Sequence, residues 1–189
     1  MAYAITGFDR IVFSTLAAST AKTTYQIKAY LTELAANLLG NDIELCANCL
    51  QDWEAFLVDP IKRIDEVQNN STRSDGSSFD FRFDMAETNR RIWLSQIRSV
   101  YPMLEEYRES FVTRHQKTIS ASLPIESSFG EICTDPQEVE LGTLVFMAGC
   151  GKLYLEQGEY KRLLGFKEAR NRLSHLSALT YREIRELYL

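Results

Sequence analysis

No run of apolar residues in this chain approaches the roughly 20 that a membrane-spanning helix needs, so no transmembrane segment is expected. The N-terminal stretch MAYAITGFDRIVFST has no basic leader and is broken by Asp9 and Arg10, which argues against a secretory signal and for a cytoplasmic protein. Positive charge is not in excess either. A formal charge of -5 excludes a protein that coats long nucleic acid by charge alone. There are only two histidines and four cysteines, which leaves little material for a metal centre. No internal repeat with a period of roughly 20 to 50 residues is visible, which excludes a solenoid.

The cysteines can be taken first. Cys46-Ala-Asn-Cys49 has the two-residue gap of a zinc knuckle or a redox pair. Cys133 and Cys150 lie far apart with no partner at ligand spacing, and His115 is isolated. The close pair also falls inside an apolar-periodic segment instead of at a strand-to-helix turn. Buried structural cysteines, no metal and no cofactor are the expectation. Gly149-Cys150-Gly151-Lys152 looks like the tail of a phosphate-binding loop, but that motif needs a glycine where Phe146 stands and Ser or Thr where Leu153 stands. The alternating strands of such a fold are missing too.

What the sequence does have is apolar residues at helical spacing. With 189 residues, 45% of them apolar, it can bury roughly 70% of its unfolded surface around one core, so a single domain over 1–189 is expected. Tyr25, Ile27, Leu31, Leu34, Ala35 and Leu38 mark a helix from about 23 to 39, with Gly40-Asn41 as its stop. Ile43, Cys46, Leu50, Trp53, Phe56 and Leu57 carry a second apolar face until Asp59-Pro60. NNSTRSDGSS (69–78) has no apolar residue and reads as a solvated loop or disordered insertion. FDFRFD follows with a period of two, which suits a short strand or an extended arm packing Phe79, Phe81 and Phe83 on the core. Stacking of those rings on bases beside Arg82 is the less favoured alternative.

A long helical stretch from about Met85 to Lys117 is anchored by Ile92, Ile97, Val100, Leu104, Tyr107 and Phe111, with Pro102 placed to kink or divide it. After a Pro- and Gly-containing linker (120–138), helices are expected from Leu141 to Leu155 and from Tyr160 to Leu176, separated by Gln157-Gly158. A last short helix, Tyr181 to Tyr188, would have Thr180 and Glu183 as a capping box. The fold class is all-α, a bundle of five or six helices with a polar loop near 69–78.

The positive charge that exists is concentrated. Lys161, Arg162, Lys167, Arg170 and Arg172 face only Glu159 and Glu168 between residues 159 and 175, beside one of the two histidines. At about 100° per residue, Phe166, Ala169, Leu173 and Leu176 form one apolar stripe that should face the core. His175 lies roughly opposite that stripe. Asn171, four residues earlier, shares the outer face. Arg172 lies three before the histidine, and Arg170 stands on the flank with a side chain long enough to swing toward it.

Arg170-Asn171-Arg172-Leu173-Ser174-His175 resembles the signature of the HEPN superfamily (higher eukaryote and prokaryote nucleotide-binding domains): an arginine, often followed by Asn, Asp or His, and a histidine after four to six intervening residues. The following LSALTYREIREL resembles the turn and short helix that commonly come next in that family. The resemblance implies an all-α HEPN-like domain and metal-independent endoribonuclease activity in a homodimer, as in toxins and antiviral defence effectors, with two copies of the motif sharing one groove. It implies RNA as substrate and an antitoxin or defence-system protein as partner. His175 would be general base or acid, Arg170 would neutralise the transition state, and Asn171 would orient the histidine or contact phosphate. Lys167 and Arg172 would be substrate contacts. In one toxin branch a tyrosine stands two residues after the histidine; here it is Ser177, which argues against that branch. The alternative is a HEPN-like module that binds a nucleotide, RNA or protein without cutting.

Overall fold

The computed structural model describes residues 23–40, 42–126, 130 and 132–188. The N-terminal stretch read for a leader lies outside these residues, as does part of the 120–138 linker. The described chain is overwhelmingly helical, in agreement with the all-α expectation, and no helix among these residues is long and apolar enough to cross a membrane. It divides into two compact units, one of residues up to Val100 together with those from Leu176 onward, the other Tyr101–His175.

The first unit holds α1 (Tyr25–Leu39), α2 (Ile43–Leu50), α3 (Trp53–Val58), α4 (Pro60–Asn70), α5 (Met85–Ser99) and α10 (Tyr181–Tyr188). Thr24 caps α1 by accepting the Ile27 N–H, and Gly40 ends it at a positive φ of 59°. The second apolar face is cut in two, because Asp52 accepts the Ala55 N–H and starts α3 afresh. Asp59-Pro60 ends α3 as expected and also starts α4: Asp59 accepts the Lys62 N–H while Pro60 takes the first turn, where its missing N–H costs nothing. Arg63 of α4 donates to the carbonyls of Asn48 and Cys49, satisfying the open C-terminal end of α2.

The polar loop is solvent-exposed, but it is tied down. A bridge joins Thr72 to Ser78, Arg73 grips the Asp42 carboxylate at 2.5 and 3.1 Å, and its guanidinium lies 4.7 Å above the Phe79 ring. Beyond it, residues 79–84 run as an extended arm. Phe79 is buried, Phe81 and Phe83 are half-buried with ring centroids 5.1 Å apart, and Arg82 pairs with Asp80. Of the three rings expected on the core, Phe79 is the one buried there.

The expected long helix from Met85 is three helices, divided at Val100 and again at His115. Its first part also buries a different face from the one expected. Ile92 and Ile97 are only half-buried, and α5 turns Thr88, Ser95, Gln96 and Ser99 inward. α5 lies against α1 on this face. Small residues let two helices approach closely, and the serine hydroxyls are satisfied by donating to the carbonyls of Arg91 and Ser95. Thr180 and Glu183 form the expected capping box of α10, with reciprocal bonds of 2.7 and 3.3 Å.

The second unit contains α6 (Tyr101–Arg114), α7 (Gln116–Ala121), a two-stranded antiparallel pair of β1 (Ile125–Glu126) and β2 (Ile132–Cys133), a 3-10 turn (Pro136–Glu138), α8 (Leu141–Gly149) and α9 (Gln157–Ser174). Leu104, Phe111, Leu144, Met147, Leu163, Phe166 and Leu173 make its core. α8 stops six residues short of expectation because Gly151, at φ 72°, turns the chain while the Lys152 N–H bonds back to Met147. Gln157-Gly158, expected as a break, is the first turn of α9.

Candidate functional site

α9 is held by a stripe of Leu163, Phe166, Ala169 and Leu173, all buried. The Tyr107 ring of α6 stacks on Phe166 at 3.6 Å between centroids and 14° between planes, and the Arg162 guanidinium lies 5.7 Å from Tyr107 and 5.8 Å from Phe166. The stripe ends one residue earlier than the sequence implies. Leu176 continues it by periodicity, but the helix closes at Ser174, and Leu176 sits at φ 58° with 73% of its surface exposed. A leucine in the left-handed region costs about 1–2 kcal/mol, so here backbone closure overrides the apolar pattern.

His175 is the C-cap. Its N–H donates to the carbonyls of Asn171 and Arg172 at 3.1 Å, and its side chain is exposed, as expected of a residue opposite the stripe. Asn171 is half-buried one turn earlier, about 40° away around the axis, so the two side chains share a side of the helix. Lys167 and Arg172 are also half-buried on this C-terminal half of α9.

Arg170 is not brought to His175. They stand five positions apart, about 140° around the axis and about 7.5 Å along it. The Arg170 guanidinium is instead drawn to Glu140, with Nη2 3.2 and 3.3 Å from the two carboxylate oxygens. It lines a small polar cavity of about 190 Å³ with Glu105, Arg108, Gln137, Glu138 and Glu140. Arg108 is fixed there by Glu105 at 2.8 Å and by the Gln137 carbonyl at 2.7 Å. Sequence reasoning did not reach Arg108 or Glu140, because they lie 62 and 30 positions from Arg170 and belong to no local pattern. A larger cavity of about 550 Å³, lined in part by Ile125, Glu126, Phe146 and Lys152, contains none of the motif residues.

The other histidine has its own partners. His115 Nε2 lies 3.0 Å from Glu159, which Arg114 also approaches at 3.7 Å, and the imidazole rests on Phe111 at 4.5 Å between centroids. Glu159 and His175 are at opposite ends of α9, sixteen residues or about 24 Å apart. His115 therefore cannot reach a group that touches His175 of the same chain. Cys46 and Cys49 are buried in α2, and burial pushes both thiols up to about 12, which suits a packing role. Among the described residues no group of three or more His, Cys, Asp or Glu is arranged to hold a metal ion. Compared with protein-family models, curated proteins and solved structures, the chain matches none of them.

Proposed function

We propose that the protein is a metal-independent endoribonuclease of HEPN type, a HEPN-like bundle of five or six helices acting as a toxin or an antiviral defence effector. The observation that carries this reading is the end of α9. An exposed imidazole closes the helix, an asparagine stands one turn below it on the same side, and an arginine of the same motif faces a polar cavity. An imidazole can act as a general base or a general acid.

In the proposed reaction the ribose 2′-oxygen attacks the adjacent phosphorus, its proton passing to one imidazole. The bond from phosphorus to the 5′-oxygen breaks as a second, protonated imidazole gives that oxygen its proton. The products are a 2′,3′-cyclic phosphate and a 5′-hydroxyl. Two proton carriers are needed on opposite sides of one phosphorus, and the chain's other histidine is bound to Glu159, about 24 Å along α9 from His175. A two-fold homodimer would supply His175 twice and join the two basic segments across one groove. Arg170 would neutralise the pentacovalent transition state, Asn171 would orient His175, and Lys167 and Arg172 would contact the RNA backbone. An antitoxin or defence-system protein would restrain the activity in the cytoplasm.

One observation favours the alternative of a non-cutting module that binds a nucleotide, RNA or protein: the Arg170 guanidinium is paired with Glu140. Incubating the pure protein with mixed RNA in EDTA, beside His175→Ala and Arg170→Ala, separates the two. The nuclease reading expects cyclic-phosphate ends by mass spectrometry and a loss of about 10²–10⁴-fold in each variant. Equal activity in wild type and His175→Ala, or cleavage that requires Mg²⁺ and leaves a 5′-phosphate, would overturn it.

A further inference from the structure

The polar cavity beside Arg170 contains two guanidinium groups held in unequal ways. Arg108 is fixed, with only 17% of its side chain exposed and short bonds to Glu105 and to the Gln137 carbonyl. Arg170 is loosely held. A single nitrogen is shared between both Glu140 oxygens at 3.2 and 3.3 Å, longer than the roughly 2.7–2.9 Å of a strong charge-assisted bond. Glu140 is the exposed member of that pair, at 53% against 28% for Arg170. It also stands at the N-cap of α8 without making a side-chain capping bond, so the start of that helix does not depend on its carboxylate.

Three carboxylates, Glu105, Glu138 and Glu140, here outnumber the two guanidiniums. With Glu140 in place the cavity has a surplus of negative charge; with Glu140 swung out the charges balance, and the Arg170 fork is open to another oxyanion. The space, about 190 Å³, corresponds to roughly six waters, enough for a phosphate with part of its hydration.

We propose that this cavity is a phosphodiester subsite in which Arg108 is a second phosphate-binding residue beside Arg170, and that Glu140 fills it until RNA displaces the carboxylate. The proposal rests on the ribonuclease reading for the identity of the ligand. It explains the orientation of Arg170 in the free chain: the guanidinium waits on an internal mimic of the phosphate.

The test uses the full chain with His175→Ala, so that bound RNA stays intact, and a fluorescein-labelled single-stranded RNA 12-mer read by anisotropy. Adding Glu140→Gln should tighten binding by about two- to fivefold at low salt, the range expected for releasing a partly exposed ion pair. The dependence on salt should steepen by about 0.7 in the log–log slope, the increment for neutralising one more phosphate of a single strand. The tightening should vanish in Glu140→Gln combined with Arg170→Ala and shrink with Arg108→Gln. Tighter binding does not arise from misfolding, so unchanged or weaker binding in Glu140→Gln overturns the proposal. Cleavage assays with His175 intact separate the two ideas. A cleaving wild type whose Glu140→Gln variant binds no tighter removes the subsite and keeps the nuclease. Tighter binding with no cleavage in any variant keeps the subsite as an RNA-binding site and removes the nuclease.

Discussion

Replacing Gln96 by alanine should be among the most damaging single changes in this chain. The side chain is fully buried, and all of its polar atoms are in use: Nε2 donates to the Tyr30 hydroxyl at 3.0 Å and to the Leu179 carbonyl at 2.8 Å, while Oε1 accepts the Leu179 N–H at 2.7 Å. Leu179 and Tyr30 are themselves buried, and burial pushes the tyrosine hydroxyl up to about 12, so it stays neutral at any working pH. Gln96→Ala strands the Leu179 N–H and C=O together, at about 1–3 kcal/mol for each buried group left without a partner. A loss of about 3–5 kcal/mol is expected, against a total of about 5–15 kcal/mol for a typical domain. Tyr30→Phe removes one bond of the three and should cost about 1 kcal/mol. Both tryptophans, Trp53 and Trp93, belong to the same unit as Gln96, so their fluorescence through a urea titration reports on it directly. A Gln96→Ala loss under about 1 kcal/mol at unchanged m-value, or a Tyr30→Phe loss as large as that of Gln96→Ala, would refute the argument. The consequence reaches the motif, since Leu179 lies four residues beyond His175: amide exchange at Leu179 should accelerate in Gln96→Ala.

Three further outcomes are expected. His115→Ala should retain RNA cleavage while His175→Ala loses it, because about 24 Å of α9 separates Glu159, the partner of His115, from His175; a gel assay of the two variants side by side checks this. With a thiol-reactive dye at pH 8, exposed Cys150 should react in the native state, while Cys46 and Cys49, raised to about 12 by burial, should wait for denaturant. Burial raises the Asp42 carboxyl, but the hydrogen bonds from Arg73 and the Leu45 N–H, with the charge of Arg73, outweigh it and hold the folded value below the unfolded one. Such a group contributes stability that is present above its unfolded pKa of about 4 and lost as pH falls through the folded value. The urea midpoints of wild type and Arg73→Ala should therefore differ at pH 6 and converge as pH falls below about 4.

Much of the molecule follows from the sequence alone, since its determinants are local. Apolar spacing of three and four marks α1 and the buried stripe of α9, and Thr180 with Glu183 defines the start of α10 within four residues. The exposure of His175 follows from helix geometry. Errors arise where a residue has two uses or where the partner is distant. Asp59-Pro60 is a stop and a start at once, and packing of Ile64 and Val67 joins the Asp59 cap in favouring the second helix. α5 buries serines and a glutamine because α1 lies against that face and Leu179, 83 positions on, needs an amide. Leu176 fits the stripe by periodicity and leaves it because the chain must turn. The site divides in the same way. The motif is legible because its residues sit within one turn and a half of one helix, but the partner of Arg170 is Glu140, whose electrostatic pull exists only once separate helices bring their charges to one cavity.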